Sequence, residues 1–180
     1  MNGARTVSPR KLTKTTLAET ADFTVERVDC RCGASGWSGP EPSLRYRIVF
    51  VRSGCFRRRM NGSETFVDPT VVYFERPADE QQISHPGRGD SCTALYLSDV
   101  LLASVWGGEL ELPDEPVPTD ATTDLTHRLL LPTLSHGERV DVEEAVVSLV
   151  ASRRGLSTGA GRGGATDNRA RKKANRRVHA

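Results

Sequence analysis

Long apolar runs are missing from this chain of 180 residues. Residues 1–20 are polar and basic and contain nothing like the apolar core of a signal peptide. No segment approaches the roughly 20 apolar residues that a membrane-spanning helix needs. We therefore expect a cytoplasmic protein with no membrane partner. In a reducing compartment the four cysteines, Cys30, Cys32, Cys55 and Cys92, are expected to remain thiols.

Histidine is also scarce, with 4 in the whole chain, and only His85 lies in the part that is rich in strand signals. A metal-dependent β-barrel enzyme needs two or three histidines and a carboxylate that converge inside the barrel. A serine nucleophile elbow is absent. A phosphate-binding loop follows a strand, whereas the glycines of residues 159–164 follow none. We therefore predict no catalytic residue, no metal and no cofactor, and we expect that the protein is not an enzyme.

Cysteine spacing leaves one alternative open. Cys30 and Cys32 have the spacing of half a zinc knuckle, which Cys55 or Cys92 would have to complete. Because a second pair is missing, the favoured interpretation is that these are buried strand cysteines that pack as small apolar groups.

Charge is divided unevenly along the chain. Residues 152–180 hold nine basic residues and one acid, a net charge of +8, so the remaining residues carry 25 − 9 = 16 basic and 23 − 1 = 22 acidic groups, or −6. A basic tail of this kind binds polyanions through release of counterions, without reading sequence. The candidate nucleic-acid contacts are Arg169, Arg171, Lys172, Lys173, Arg176 and Arg177.

The middle of the chain contains a series of short segments rich in β-branched and aromatic residues, each bounded by Gly, Pro, Asn or Asp. This pattern is typical of consecutive antiparallel strands, and turn signals about every ten residues indicate a sandwich or barrel. Asn61-Gly62 is a strong two-residue hairpin signal. The predicted strands are residues 23–28, 44–52, 55–60, 64–67, 71–74 and 92–98.

After residue 99 the apolar period becomes helical. Residues 99–106 can form one or two helical turns, and residues 122–131 predict a helix with Leu125, Leu129 and Leu130 inward that Pro132 ends or kinks. A clearer helix begins at Asp141 as its N-cap and ends at Gly155, with Val142, Ala145, Val146, Leu149 and Val150 on one apolar stripe. The predicted fold class is mainly β with C-terminal helices, a barrel followed by two helices.

Several motifs together resemble a known family. They are Cys-Arg-Cys at 30–32, Gly-Trp-Ser at 36–38, Tyr-Arg-Ile-Val-Phe-Val-Arg-Ser-Gly at 46–54, Phe-Arg-Arg-Arg at 56–59, Val-Asp-Pro-Thr-Val-Val-Tyr at 67–73, and His-Pro at 85–86 with Gly-Asp at 89–90. Their order and spacing are similar to those of the N-terminal cupin-like (jelly-roll) domain of AraC-type transcription regulators, over about residues 23–154. The resemblance implies a small β-barrel that senses an effector and forms a homodimer through the helices that follow.

AraC-type regulators normally continue with two helix-turn-helix units that bind DNA. In residues 156–180 the only large aliphatic residues are Leu156 and Val178, too few to pack a recognition helix. We therefore expect a truncated or frame-shifted regulator without its own sequence-specific DNA-binding module. DNA would be bound only with a helix-turn-helix partner, or weakly by the tail. The predicted organisation is a flexible arm at 1–21, an effector-binding and dimerisation domain at 22–154 and a disordered basic tail at 155–180.

Side-chain parity supplies the candidate effector site. Inward side chains of a barrel line its cavity, and this parity selects Tyr46, Ile48, Phe50, Tyr73 and His85. The alternative is that these side chains fill the core and leave no pocket, with His85 a turn residue beside a proline.

Three consecutive arginines, residues 57–59, are expected to form a solvated hairpin edge. The predicted function is effector sensing and dimerisation. The alternatives are a small cupin-fold enzyme and a non-specific nucleic-acid binder that uses the tail.

Overall fold

Two antiparallel sheets and three helices make up the fold in a computed structural model, which describes residues 12–32, 36–87, 89–108, 110 and 112–153. One sheet has six strands in the order β1-β2-β9-β4-β7-β10, and the other has four in the order β3-β8-β5-β6. The strands are β1 (Leu12–Glu19), β2 (Phe23–Cys30), β3 (Glu41–Pro42), β4 (Tyr46–Gly54), β5 (Phe56–Met60), β6 (Ser63–Val67), β7 (Val71–Glu75), β8 (Glu80–Ser84), β9 (Asp90–Leu97) and β10 (Val117–Pro118), and the helices are α1 (Asp99–Trp106), α2 (Ala121–His136) and α3 (Arg139–Ala151).

The six-stranded sheet is the middle layer, and this explains why its central strands are apolar on both faces. In β4, Val49 and Val51 pack with residues of the four-stranded sheet, whereas Ile48 and Phe50 pack under the helices. A strand that is buried on both faces reads as a continuous hydrophobic run. The core is therefore divided into one cluster between the sheets and a larger one between the six-stranded sheet and the helices.

The helices begin at side-chain caps. Ser98 and Asp120 accept hydrogen bonds from the backbone at the first turns of α1 and α2. α3 begins one turn earlier than predicted, because Glu138 is its N-cap and Asp141 is the N3 partner of a capping box. The predicted apolar stripe on α3 is confirmed in the four residues Val142, Val146, Leu149 and Val150, which are buried.

Two parts of the prediction for α2 change: Pro132 does not end the helix, and two of the three leucines that were predicted to face inward are exposed. The helix continues through Pro132 to His136. Leu130 is buried as predicted, but Leu125 and Leu129 are 58% and 59% exposed. Only one narrow side of α2 packs against the sheet. The helix carries more apolar side chains than fit on that side, so some of them remain exposed.

Four of the described strands are not among the predicted ones: β1, β8 and the two-residue strands β3 and β10. β1 lies within the predicted arm at 1–21 and pairs along its whole length with β2, with a bulge between Thr16 and Ala18. β8 has the sequence Glu-Gln-Gln-Ile-Ser, which carries little strand propensity. Residues 1–11 and the whole predicted tail at 155–180, with its six candidate nucleic-acid contacts, lie outside the described residues.

The predicted fold class, a mainly β barrel followed by helices, is confirmed. Within the described residues, no helix combines the length and the apolar character that crossing a bilayer requires.

Candidate functional site

A cavity of about 110 Å³ lies between the two sheets, and we call it the inner cavity. Its wall contains both apolar and polar side chains. The residues that line it include Val28, Cys30, Arg47, Val49, Phe56, Tyr73, Gln81, Ile83, His85, Asp90, Cys92 and Ala94.

A second cavity, of about 420 Å³, adjoins the first and is called the outer cavity. It lies between the first strands and the β3–β4 connection, and it shares Lys14 and Arg47 with the inner cavity. Its other lining residues include Thr16, Glu26, Ser43, Arg45 and Tyr96. Arg47 therefore stands at the junction of the two spaces.

Arg47 is held by neighbours on both adjacent strands. Its guanidinium forms a bidentate ion pair with Glu75, its register partner on β7, and donates to the hydroxyl of Tyr96 on β9 at 3.2 Å. Burial acts to lower the pKa of Arg47, but the charge and hydrogen bond of Glu75, together with Tyr73 and Tyr96, outweigh it, and the pKa is raised. Arg47 is thus a fixed cation with one face toward the cavities.

Two buried polar atoms beside the outer cavity have no hydrogen-bond partner among the described residues. They are Nε of Arg47 and Oε2 of Glu26. Unpaired buried polar atoms are rare because each costs free energy, and they are often explained by an absent water or ligand. One atom is a donor and the other is an acceptor.

Arg58 is buried between the sheets, which corrects the expectation that all three hairpin arginines are solvated. It donates to Gln81 at 3.0 Å and to the carbonyl of Phe74 at 2.9 Å, and its guanidinium lies 4.5 Å from the ring centre of Tyr73. Burial lowers the pKa of Arg58 and raises that of the Tyr73 hydroxyl. The strand alternation of β5 places Arg58 inward, whereas Arg57 and Arg59 lie against Trp37 on the outside.

A third group of polar side chains lies at the wall of the inner cavity, where Cys30, His85 and Asp90 line it. Cys30 and Cys32 form a disulfide, and one ligand-type atom from each of these residues and from His85 lies within 4.8 Å of the others. All three residues are buried. Nε2 of His85 lies 2.6 Å from Oδ2 of Asp90, and Nδ1 lies 4.0 Å from Sγ of Cys30. The expectation that all four cysteines remain thiols is wrong for this pair, because their side chains meet at the end of β2.

Cys92 also lines the inner cavity, and it is a free thiol that takes no part in the disulfide. Its thiol donates to Oδ1 of Asp90 at 3.4 Å. Burial, and then the charge of Asp90, raise the pKa of this thiol. Cys92 is therefore a neutral hydrogen-bond donor, and Cys55, which is half-buried, is the other free cysteine of the described residues.

Gly89 lets the His85–Asp90 turn approach β2 closely. Its φ is +98°, and a Cβ added there would lie 1.9 Å from the carbonyl oxygen of Cys30. Only glycine tolerates this conformation and this contact. The His-Pro and Gly-Asp pairs of the sequence are thus the means by which His85 is placed next to Cys30 and Cys32.

The five predicted effector residues are placed in two different environments. Tyr73 and His85 line the inner cavity. Tyr46, Ile48 and Phe50 lie on the opposite face of β4, toward the helices, and do not line the inner cavity, although Phe50 lines a separate cavity of about 290 Å³ beside α2. Both faces of β4 are buried, and parity alone could not tell which one faces the cavity. The ligand-binding role itself stays a prediction for all five residues.

Some residues of the site carried no signal in the sequence. Arg47, Glu26 and Glu75 are charged residues in strands, a pattern that ordinarily indicates a solvent-exposed face. The alternation of β4 could have placed Arg47 beside Val49 and Val51, but the partner carboxylate on β7 is visible only in the sheet register.

Comparison with protein-family models and with curated proteins found no match. Among solved structures, a cupin superfamily protein from Desulfitobacterium hafniense matches with a TM-score of 0.43 and 11% identity, over 49% of this chain and 79% of that one. The cupin domain of Cnp3 from Schizosaccharomyces pombe matches with a TM-score of 0.43 and 15% identity, over 56% and 74%. At such values these likenesses carry no argument about substrate or partner.

Enzymes also occur among the matched structures. DMSP lyase DddQ from Ruegeria pomeroyi matches with a TM-score of 0.43 and 16% identity, over 60% of this chain and 51% of that one, and a mannose-6-phosphate isomerase candidate from Ralstonia eutropha is matched as well. The prediction that the protein is not an enzyme is therefore wrong as an exclusion. The described residues form two facing antiparallel sheets followed by helices, which is the fold class that the sequence predicts.

Proposed function

We propose that this chain is an effector-sensing and dimerisation domain of the AraC type, and that its effector binds where the inner and outer cavities meet. The motif resemblance supports the regulator class, and the cavities supply a place for the effector. The observation that carries the proposal is the pair of unpaired buried polar atoms, Nε of Arg47 and Oε2 of Glu26, beside the outer cavity.

The chemistry of these two atoms defines the effector. A ligand that satisfies both must accept a hydrogen bond from Arg47 and donate one to Glu26, as an amino acid or a sugar can. The outer cavity has the size of a small-molecule site, since such sites run from roughly 300 to 1,000 Å³. A cation and a carboxylate that face one cavity favour a polar, amphoteric molecule over an apolar one.

Ligand binding is tested with three probes, L-serine, glycine and D-ribose, by thermal shift and by titration calorimetry. We expect at least one of them to raise the melting temperature saturably. The Glu26→Gln variant removes the charge at nearly constant shape and is expected to weaken that binding at least tenfold. Glu144→Gln changes an exposed residue of α3 and serves as the matched control. No saturable binding, or equal binding by Glu26→Gln, would contradict the proposal.

The fate of the bound probe separates sensing from catalysis. After long incubation with the protein, the probe is recovered and analysed by mass spectrometry. Recovery of the unchanged molecule supports a sensor. Conversion to a product would replace the sensing function with an enzymatic one at the same site.

Dimerisation through the helices is the second part of the proposal. The exposed apolar side chains Leu125 and Leu129 on α2 and Val140 on α3 support it. Sedimentation equilibrium should give a dimer for the unaltered chain and a monomer for Leu129→Glu. Val100→Glu, which changes a residue of α1 that is 70% exposed, is the control and should remain dimeric. A monomeric unaltered chain, or a dimeric Leu129→Glu, would contradict the helix interface.

A further inference from the structure

The proposed recognition of the effector by Arg47 and Glu26 does not use the Cys30–Cys32–His85 cluster. We propose that the reduced form of this cluster is a Zn²⁺ site, with two thiolates and one imidazole as protein ligands and a fourth coordination position open to the inner cavity.

The donor set is the first argument. Thiolate and imidazole together select zinc in tetrahedral geometry, and two cysteines with one histidine and an open position form a recognised class of zinc site. With Zn–S of about 2.3 Å and Zn–N of about 2.0 Å, the donor atoms of such a site are roughly 3.6 to 3.8 Å apart. Nδ1 of His85 lies 4.0 Å from Sγ of Cys30, so a small side-chain shift gives the required distance.

Asp90 supplies the second argument. Metal-binding histidines usually direct their second ring nitrogen to a carboxylate, which fixes the ring and its tautomer. Nε2 of His85 is 2.6 Å from Asp90, while Nδ1 faces the sulfur atoms. Both side chains are 5% exposed, so this arrangement is shielded from solvent. Asp90 is thus a positioning residue for His85.

Location supplies the third argument. Cys30, His85 and Asp90 all belong to the wall of the inner cavity. A metal held by this cluster would leave its fourth position accessible from the cavity, where a water or an oxygen or nitrogen donor of a small molecule could occupy it. Among the described residues this is the only group of three or more His, Cys, Asp or Glu side chains with metal-site spacing.

The disulfide and the metal site exclude each other, because both use the same two sulfur atoms. Reduction of the Cys30–Cys32 bond consumes two electrons and two protons. With a trialkylphosphine as the reductant, the S–S bond breaks, two thiols form, and the phosphine takes an oxygen atom from water and becomes the phosphine oxide. Zinc then displaces one proton from each thiol as two Zn–S bonds form.

Metal binding is measured with the full chain after phosphine reduction and buffer exchange under argon, with Co²⁺ as the spectroscopic probe and Zn²⁺ as the competitor. We expect one metal per chain, with the thiolate charge-transfer and tetrahedral d–d bands of cobalt. Cys32→Ser and His85→Gln should weaken zinc binding at least a hundredfold. Asp90→Asn should weaken it by 10- to 100-fold with the cobalt bands retained, because it leaves the ligands in place. Cys55→Ser is the matched control and should bind as the unaltered chain does.

A measurement on the unaltered chain covers the case in which a variant fails to fold. Zn²⁺ should protect Cys30 and Cys32 from alkylation by iodoacetamide, as read by mass spectrometry, while Cys55 stays reactive. The disulfide form should bind no metal. The proposal is overturned if the reduced, folded chain binds no zinc, if zinc protects neither cysteine, or if a folded His85→Gln variant binds zinc as tightly as the unaltered chain.

Discussion

Arg47 and Glu75 face each other on the neighbouring strands β4 and β7 and form a bidentate ion pair at the junction of the two cavities. Glu75 is 1% exposed, whereas the side chain of Arg47 is 17% exposed. The pair therefore holds a cation at the wall of both cavities at a position fixed by two strands.

Glu75→Gln is expected to lower the free energy of unfolding by about 3 kcal/mol, because it leaves the Arg47 charge buried without its partner. Urea unfolding measures this value. Glu64→Gln is the control, since Glu64 pairs with Arg57 and Arg59 at the surface and its loss should cost about 0.5 kcal/mol or less. Equal costs for the two variants would show that the buried pair adds nothing.

His127 should make the stability depend on pH. It is buried on α2, where Nε2 lies 2.9 Å from Oγ1 of Thr93 and the ring stacks on Phe50. Burial, and then the charge of Arg52, lower its pKa to about 4. In the unfolded chain the pKa is about 6.5, so only the unfolded state gains a proton as the pH falls below that value.

The contribution of neutral His127 to the free energy of unfolding is therefore complete above pH ~6.5. It is lost as the pH falls toward ~4, by on the order of 3 kcal/mol. Urea unfolding between pH 7.5 and 4 should show this loss. His127→Gln should flatten the profile, whereas His136→Gln, at an exposed position of the same helix, should not. Asp124 and Arg128 are the other charged groups that act on the His127 ring. Parallel pH profiles for the unaltered chain and both variants would contradict the assignment of the pH dependence to His127.

Gly89 and Gly62 form a matched pair for testing whether the turn before β9 must approach the backbone of Cys30 closely. Both have positive φ, but a Cβ at Gly62 would meet nothing within 4 Å, and a Cβ at Gly89 would lie 1.9 Å from the carbonyl oxygen of Cys30. Gly62→Ala should cost about 1 kcal/mol of backbone strain. Gly89→Ala should cost more than twice as much and should separate His85 from the cysteine pair. Thermal melts compare the two variants, and similar melting temperatures would refute the role of Gly89.

Ala78 occupies a backbone conformation that suits glycine. Its φ is +71°, in the turn where the amide of Asp79 donates to the carbonyl of Arg76 at 3.1 Å. Ala78→Gly should raise the free energy of unfolding by about 0.5 to 1 kcal/mol, because the relief of strain exceeds the entropy that glycine adds to the unfolded chain. Chemical denaturation measures the gain. Ala121→Gly, at the exposed first position of α2, should give a loss instead.

The amino-acid pattern was enough to predict the strands with apolar alternation, the helices with a 3.6-residue period and the mainly β fold class. These features depend on neighbours along the chain, where residue type and period act locally. It failed for β1 and β8, whose polar side chains carry weak strand propensity and whose strand structure depends on pairing with β2 and β5.

The face of β4 that lines the inner cavity could be identified only from the packing of the sheets, since both faces are buried and hydrophobicity does not distinguish them. The same packing brings Arg47 to Glu75, 28 residues away, and His85 to Cys30, 55 residues away. Such contacts are set by strand order and register, which depend on the packing of the whole sheet and not on any short stretch of sequence.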